Sequence, residues 1–140
     1  MWRSILAMLI AMLTVQCADN PAGATTTPFT KSVTGTVAAS GTSRQSLTIP
    51  RSGNLLLTLS WTGATDLNLY LAPASCTVLN PKAQCNILLQ SNFSTSQESI
   101  ARSVSEGESF SVFVENMSAS STSTYTLNIR IDERHLDPPL

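Results

Sequence analysis

Side chains that could act as a catalytic base are scarce in this chain of 140 residues. The single histidine, His135, lies in the C-terminal segment ERHLDPPL, whose charges and prolines favour a solvated tail. Serines are abundant, but none stands in a GxSxG motif, the sharp turn that exposes the nucleophile of many hydrolases. Catalysis needs such groups arranged together, and no spacing of that kind is recognisable. The sequence therefore predicts a protein that is not an enzyme.

Asp66 and Asn68 alternate along one predicted strand and share one of its faces. Hard cations such as Ca²⁺ bind several oxygen ligands, so these two side chains and a nearby loop carbonyl could form a calcium site. Two side chains are few ligands for such an ion, and the alternative is a protein that binds no cofactor. No glycine-rich phosphate-binding loop occurs in the chain.

Two aromatic residues, Tyr70 and Phe113, fall out of phase with the leucine and valine faces of their predicted strands. We therefore expect them on the outer surface, where aromatic rings can stack on sugars or pack against a partner. Scattered apolar residues are also common on ordinary surfaces. These two residues form the predicted ligand-binding site if the protein binds a carbohydrate or a matrix.

Cys76 and Cys85 flank the segment TVLNPKAQ. In an exported protein we expect such a pair to form a disulfide, which would stabilise the fold by about 2.5–3 kcal/mol in the chain-entropy model. The alternative is a metal site, but the spacing is not CxxC and no histidine lies nearby.

The third cysteine, Cys17, directly follows an apolar run, Ile5 to Leu13. This run is shorter than the roughly 20 residues that cross a bilayer, so residues 1–17 are predicted to be a signal peptide. The stretch LTVQC resembles a bacterial lipoprotein signal, in which the cysteine becomes lipidated and attaches the protein to the membrane. The alternative is ordinary cleavage near Cys17 or Ala18. Both routes export the protein.

A flexible linker is predicted over 18–30, ADNPAGATTTPFT, because it is rich in proline and threonine and lacks apolar periodicity.

Charged residues make up 12% of the chain and the net charge is −1, so no basic patch is available to bind nucleic acid. Two further motifs, NFS at Asn92 and NMS at Asn116, match glycosylation sequons, which would matter only in a eukaryotic secretory pathway.

The elements that position these residues are β-strands, since apolar and polar residues alternate with period two from Lys31 onward. The clearest run is NLLLTLSW, residues 54–61, and about eight short strands follow one another with turn signals between them. The pattern predicts an all-β antiparallel sandwich or barrel. The predicted strands are 32–39, 44–49, 54–61, 66–71, 87–90, 97–104, 110–115 and 125–131.

Four segments in order resemble the bacterial pre-peptidase C-terminal domain, over Val33 to Ile131. They are RSGNLLLTLS (51–60), TDLNLYL (65–71), GESFSVFV (107–114) and STYTL (123–127). The second is similar to the family's D-x-D-L-Y signature, with Asn68 in place of the second Asp.

The resemblance implies an exported, jelly-roll-like β-sandwich of about eight strands over 31–132, followed by a tail over 133–140. It also implies a non-catalytic accessory role beside secreted hydrolases. We interpret the protein as an exported, lipid-anchored module of the cell envelope that binds a partner, either a protein or a glycan. The alternatives are a carbohydrate- or matrix-binding module that uses Tyr70 and Phe113, and an accessory domain of a separate secreted peptidase.

Overall fold

The computed structural model describes residues 27–79, 85–93 and 96–133, and these residues form eight β-strands and no helix. In chain order the strands are β1 Phe29–Val37, β2 Thr42–Thr48, β3 Gly53–Trp61, β4 Leu67–Pro73, β5 Leu89–Ser91, β6 Gln97–Val104, β7 Ser109–Asn116 and β8 Ser123–Asp132.

The strands form two four-stranded antiparallel sheets, which we call the β1 sheet (order β1-β8-β3-β6) and the β2 sheet (order β2-β7-β4-β5). The pairs β1–β8, β2–β7, β3–β6 and β4–β5 are those of a long hairpin rolled up so that its two halves lie face to face. This is the topology of an eight-stranded jelly roll. The prediction of an all-β, jelly-roll-like sandwich is therefore confirmed, and the barrel is excluded.

The core lies between the two sheets because the strands alternate as the sequence indicates. In β3, Leu55, Leu57 and Leu59 are buried while Asn54 and Leu56 face outward. Leucine, valine and isoleucine side chains from the facing strands complete this layer. Each large apolar side chain contributes about 1.5–3 kcal/mol when it leaves water, so this layer drives folding.

Successive strands run in opposite directions, so their connections fall at two ends of the sandwich. The proximal end carries the β2–β3, β4–β5 and β6–β7 connections, and it is also where β1 begins and β8 ends. The distal end carries the β1–β2, β3–β4, β5–β6 and β7–β8 connections. Both ends of the described chain therefore emerge at the proximal end.

Strand β1 begins at Phe29, so the last two residues of the predicted linker 18–30 belong to the sheet. The predicted signal peptide 1–17, with Cys17, lies outside the described residues, as do linker residues 18–26, His135 and the tail from residue 134. In the described part of the chain, no helix is long and apolar enough to cross a membrane.

Candidate interaction surface

Cys76 and Cys85 form a disulfide, with their Cα atoms 5.5 Å apart. This confirms the predicted pairing and excludes the metal alternative for these two thiols. The bond closes the β4–β5 connection at the proximal end of the β2 sheet. Oxidised cysteine pairs of this kind persist outside the cytoplasm.

Tyr70 and Phe113 are buried, with 3% and 1% of their surface exposed, so the prediction that they form an exposed site is wrong. Their phase is as predicted, because both side chains lie on the outer face of the β2 sheet, where they are neighbours across β4 and β7. The disulfide-closed connection packs over them and forms a second apolar cluster. It contains Tyr70, Ala72, Cys76, Leu79 and Phe113, with Cys85 and Ile87 at its margin.

The hydroxyl of Tyr70 lies in a small polar network at the edge of this cluster. It donates a hydrogen bond to Glu115 Oε2 at 2.7 Å and accepts one from Asn68 Nδ2 at 3.2 Å. A buried tyrosine hydroxyl needs such partners, because leaving it unpaired would cost stability. Asn68 is therefore occupied in supporting the aromatic cluster.

One member of the predicted calcium pair, Asn68, has a hydrogen-bond partner within the protein. Asn68 is buried beside Tyr70, and the Oδ1 atom of Asp66 is buried without a hydrogen-bond partner in the described part of the chain. Among the described residues, no group of three or more His, Cys, Asp or Glu side chains could hold a metal ion. The calcium site at Asp66 and Asn68 therefore stays a prediction.

A cavity of about 670 Å³ lies at the proximal end between the β2–β3 and β6–β7 connections. Its polar groups bind one another: Arg51 pairs with Glu133 at 3.0 Å, and Glu108 Oε2 accepts a bond from the Ser105 amide at 2.7 Å. Arg51 also donates to the Thr27 carbonyl at 3.0 Å. These contacts fasten the two ends of the described chain together, so we interpret the cavity as structural.

The distal end has a different chemistry. We call its described connecting residues, 38–41, 62–66, 92–93, 96 and 117–122, the distal surface. These residues are mostly serine, threonine, alanine and glycine, and among them Asp66 alone carries a charged side chain. Two large apolar side chains project from them: Phe93 is 68% exposed and Met117 is 53% exposed.

Asn116, at the end of β7, links two parts of the distal end through buried hydrogen bonds. It is 1% exposed, and its Nδ2 donates to the carbonyls of Val37 at 3.3 Å and Ser121 at 2.7 Å. Its Oδ1 accepts a bond from the Ser118 amide at 2.9 Å. One buried amide therefore connects the end of β1 with the β7–β8 connection. The burial and bonding of Asn116 also leave its NMS sequon without an accessible amide.

The β3–β4 connection is fixed in the same way. Trp61 Nε1 donates to the Thr65 carbonyl at 2.6 Å, and Thr65 Oγ1 donates to Ser123 Oγ at 2.9 Å. The Met117 amide donates to the Asp66 carbonyl at 2.9 Å. A depression of about 360 Å³ lies between this connection and the β7–β8 connection, lined by residues 62–65 and 121–124.

Phe93 and Met117 lie on the same side of this end. The strand order β7-β4-β5 places Asn116 beside Leu67, and β5 ends on the other side of β4. Strands β5 and β7, which these two residues follow, therefore lie two strand spacings, about 10 Å, apart. The sequence analysis did not predict this pair. The signal for it was a large apolar residue within each of two polar segments, NFS and NMS.

Comparisons with known proteins show a shared fold. No protein-family model matches the chain. No curated protein sequence matches it either. Among solved structures, the Yersinia pseudotuberculosis-derived mitogen superposes with a TM-score of 0.54 at 19% identity, over 79% of this chain and 92% of the mitogen. PliG of Aeromonas hydrophila, a periplasmic lysozyme inhibitor of g-type lysozyme, superposes with a TM-score of 0.53 at 13% identity, over 74% of this chain and 86% of PliG.

Proposed function

We propose that the protein is an exported, non-catalytic binding module whose distal surface docks on a partner protein. The observation that carries the proposal is the pair of exposed apolar side chains, Phe93 and Met117, at one end of the sandwich. Internal hydrogen bonds hold the connection that carries Met117. In most protein interfaces a few large side chains dominate the binding energy, and the contacts around them contribute little.

Preorganisation supports this reading. Ordering a mobile loop at an interface costs free energy for each immobilised segment, and loops already held by buried hydrogen bonds avoid that cost. Serine and glycine around a few large anchors also occur in antibody binding loops, where small polar residues supply adaptable hydrogen bonds. The β3–β4 and β7–β8 connections of the distal surface combine both features.

Charge narrows the class of partner. Because Asp66 is the one charged side chain among the described residues of the distal surface, this end offers no cationic site for a polyanion. Nucleic acid and anionic lipid are bound mainly through clustered lysine and arginine. A partner protein with an apolar, weakly charged surface patch would complement the distal surface.

Export is supported by the Cys76–Cys85 disulfide and by the predicted signal peptide. One structural neighbour is a periplasmic inhibitor of g-type lysozyme, and another is a mitogen. If Cys17 carries lipid, the 11 residues from 18 to 28 that precede β1 reach at most about 40 Å and join the sandwich at its proximal end. That arrangement would direct the distal surface away from the membrane.

Site-specific photo-crosslinking in the native host tests the proposal. A photoreactive residue at Ala119, on the distal surface, is expected to give a discrete protein adduct that mass spectrometry can identify. The matched control places the same residue at Glu106, in the exposed β6–β7 connection at the proximal end. Purified g-type lysozyme is included as a defined probe, because one structural neighbour inhibits it. Equal adduct patterns from both positions would contradict the proposal.

A further inference from the structure

The strands at the borders of the two sheets differ in how readily they could accept a further strand. Strands β1 and β2 lie on one side of the sandwich, and β5 and β6 lie on the other. On the second side, β5 has three residues and β6 carries the buried charge of Glu98. Short edge strands and inward-pointing charges both prevent an edge from pairing. Strand β1 has nine residues, contains no proline and pairs only with β8 among the described strands, so its other border is open.

Four residues of β1 direct their backbone amides and carbonyls toward this open border. The Trp61 amide donates to the Ser96 carbonyl at 3.3 Å, so the odd-numbered residues of β3 bond to β6 and the even-numbered ones to β8. Backbone groups alternate in this way along antiparallel strands. The continuous register from β3 through β8 then makes the odd-numbered residues of β1 bond to β8. The residues that face the open border are Thr30, Ser32, Thr34 and Thr36.

The backbone groups at this border have no partner within residues 27–79, 85–93 and 96–133. Thr27, just before β1, lies on the other side of the strand, because Arg51 at the start of β3 donates to its carbonyl at 3.0 Å. Amides and carbonyls that recur every second residue are complementary to another extended chain, which bonds to them by adding a strand to the sheet. The border therefore fits a peptide segment in the β conformation.

Charge identifies the kind of segment. Lys31 lies in the middle of the β1 border and is exposed, and its register neighbour on β8 is the apolar Ile129. It makes no ion pair or hydrogen bond with any residue that the structure describes. The one other charged residue of β1 and β2 is Arg44, whose guanidinium bonds to Ser111 Oγ and the Ala74 carbonyl on the outer face of the β2 sheet. The open border of β1 thus carries one cation without a counter-charge.

We infer that the open border of β1 binds an extended acidic segment of a partner protein as an added antiparallel strand. The four outward-facing residues of β1 supply the backbone hydrogen bonds, and a carboxylate opposite Lys31 supplies an ion pair. Opposite charges on neighbouring strands stabilise a sheet, and like charges destabilise it. A second copy of the chain fits less well, because it would bring its own Lys31 to the same border. The distal surface begins at residue 38, so the inference does not depend on the proposed function.

Fluorescence anisotropy with labelled nonapeptides tests the inference on the purified protein. The acidic probe is EVTVEVTVE, and its basic counterpart is KVTVKVTVK. A third peptide is the acidic probe N-methylated at its valines, whose amides face β1 when a glutamate lies opposite Lys31. We expect saturable binding of the acidic probe. The Kd of the basic and of the methylated peptide should be roughly tenfold higher or more, since each loses an ion pair or several hydrogen bonds.

Two variants locate the site. Thr34→Pro removes one outward amide without breaking a β1–β8 hydrogen bond, and proline is tolerated where an edge amide faces solvent. It should raise the Kd of the acidic probe roughly tenfold or more, whereas the matched control Thr34→Val keeps the amide and should bind normally. Lys31→Glu should make the basic peptide the tighter ligand. Circular dichroism and urea denaturation establish that each variant is folded.

The distal double variant, Phe93→Ser with Met117→Ser, should leave peptide affinity unchanged, which separates this border from the distal surface. The inference is overturned if the acidic probe shows no saturable binding or if the methylated peptide binds as tightly. It is also overturned if Lys31→Glu leaves the preference for the acidic probe intact, or if Thr34→Pro and Thr34→Val bind alike. A dimer in sedimentation velocity that Thr34→Pro dissociates would assign the border to a second copy and contradict the inference.

Discussion

At the residue scale, two buried polar groups hold parts of this protein that apolar packing does not. Asn116 fixes the connections of the distal surface through its side-chain amide. Glu98 is buried in β6, the edge strand of the β1 sheet. Its Oε2 accepts a hydrogen bond from Ser91 of β5, the edge strand of the β2 sheet. Its other oxygen, Oε1, has no partner in the described part of the chain. Both groups are expensive to disturb, because a buried polar atom that loses its partner keeps its desolvation cost.

Replacing Asn116 with alanine should therefore destabilise the fold. The change leaves the Val37 and Ser121 carbonyls and the Ser118 amide without their partner, and we expect a loss of about 1–3 kcal/mol in the free energy of unfolding. Urea denaturation of the oxidised protein measures it. Asn92→Ala, at an exposed position, is the control and should change the free energy by less than about 0.5 kcal/mol. If both substitutions changed the free energy of unfolding equally, the hydrogen bonds of Asn116 would not have the stabilising role that we describe.

Glu98 and Ser91 should behave as a coupled pair. Ser91→Ala removes the described donor to the buried carboxyl and should cost about 1–3 kcal/mol. Adding Glu98→Leu should recover part of that loss, because a packed apolar side chain replaces a buried acid without a partner. A double-mutant cycle by urea denaturation gives the coupling free energy. Strictly additive losses would contradict a direct interaction.

At the scale of elements, sequence periodicity locates strands well and cannot show what covers them. All eight predicted strands are present, and β6 has the predicted bounds Gln97–Val104. The predicted strand over 87–90 is displaced, since the regular pairing with β4 covers Leu89–Ser91. Period two correctly placed Tyr70 and Phe113 on the outer face, but their burial depends on a connection that folds back over the sheet. Membership of the pre-peptidase C-terminal domains stays a prediction, because a jelly roll is shared by many unrelated proteins.

The disulfide should stabilise that covering connection more than the sandwich itself. Cys76→Ser with Cys85→Ser should lower the free energy of unfolding by about 2.5–3 kcal/mol in the chain-entropy model. The rate of amide hydrogen exchange should rise first around Leu79, which belongs to the aromatic cluster, and Ile87, which packs against it. The amides of β3 and β8 should stay protected. Uniform acceleration across all strands would mean that the disulfide supports the whole fold and not this element.

At the scale of the whole molecule, the sandwich is chemically polarised. Its proximal end holds both ends of the described chain, the disulfide and the Arg51 ion pair. Its distal end presents Phe93 and Met117 among small uncharged residues. The sequence could predict the fold but not this division, because the residues of each end come together only through the jelly-roll order of the strands. Binding at the distal surface is the central claim of our account.

The affinity of the crosslinked partner for distal variants tests that claim most directly. Phe93→Ser with Met117→Ser should raise the Kd at least tenfold, because hot-spot side chains each cost more than about 1 kcal/mol when removed. The matched control is Val78→Ser, which removes an exposed apolar side chain from the proximal end and should leave the Kd within about twofold. Isothermal titration calorimetry with the purified partner measures both. A Kd that the distal double variant leaves unchanged, or that Val78→Ser raises as much, would contradict the account.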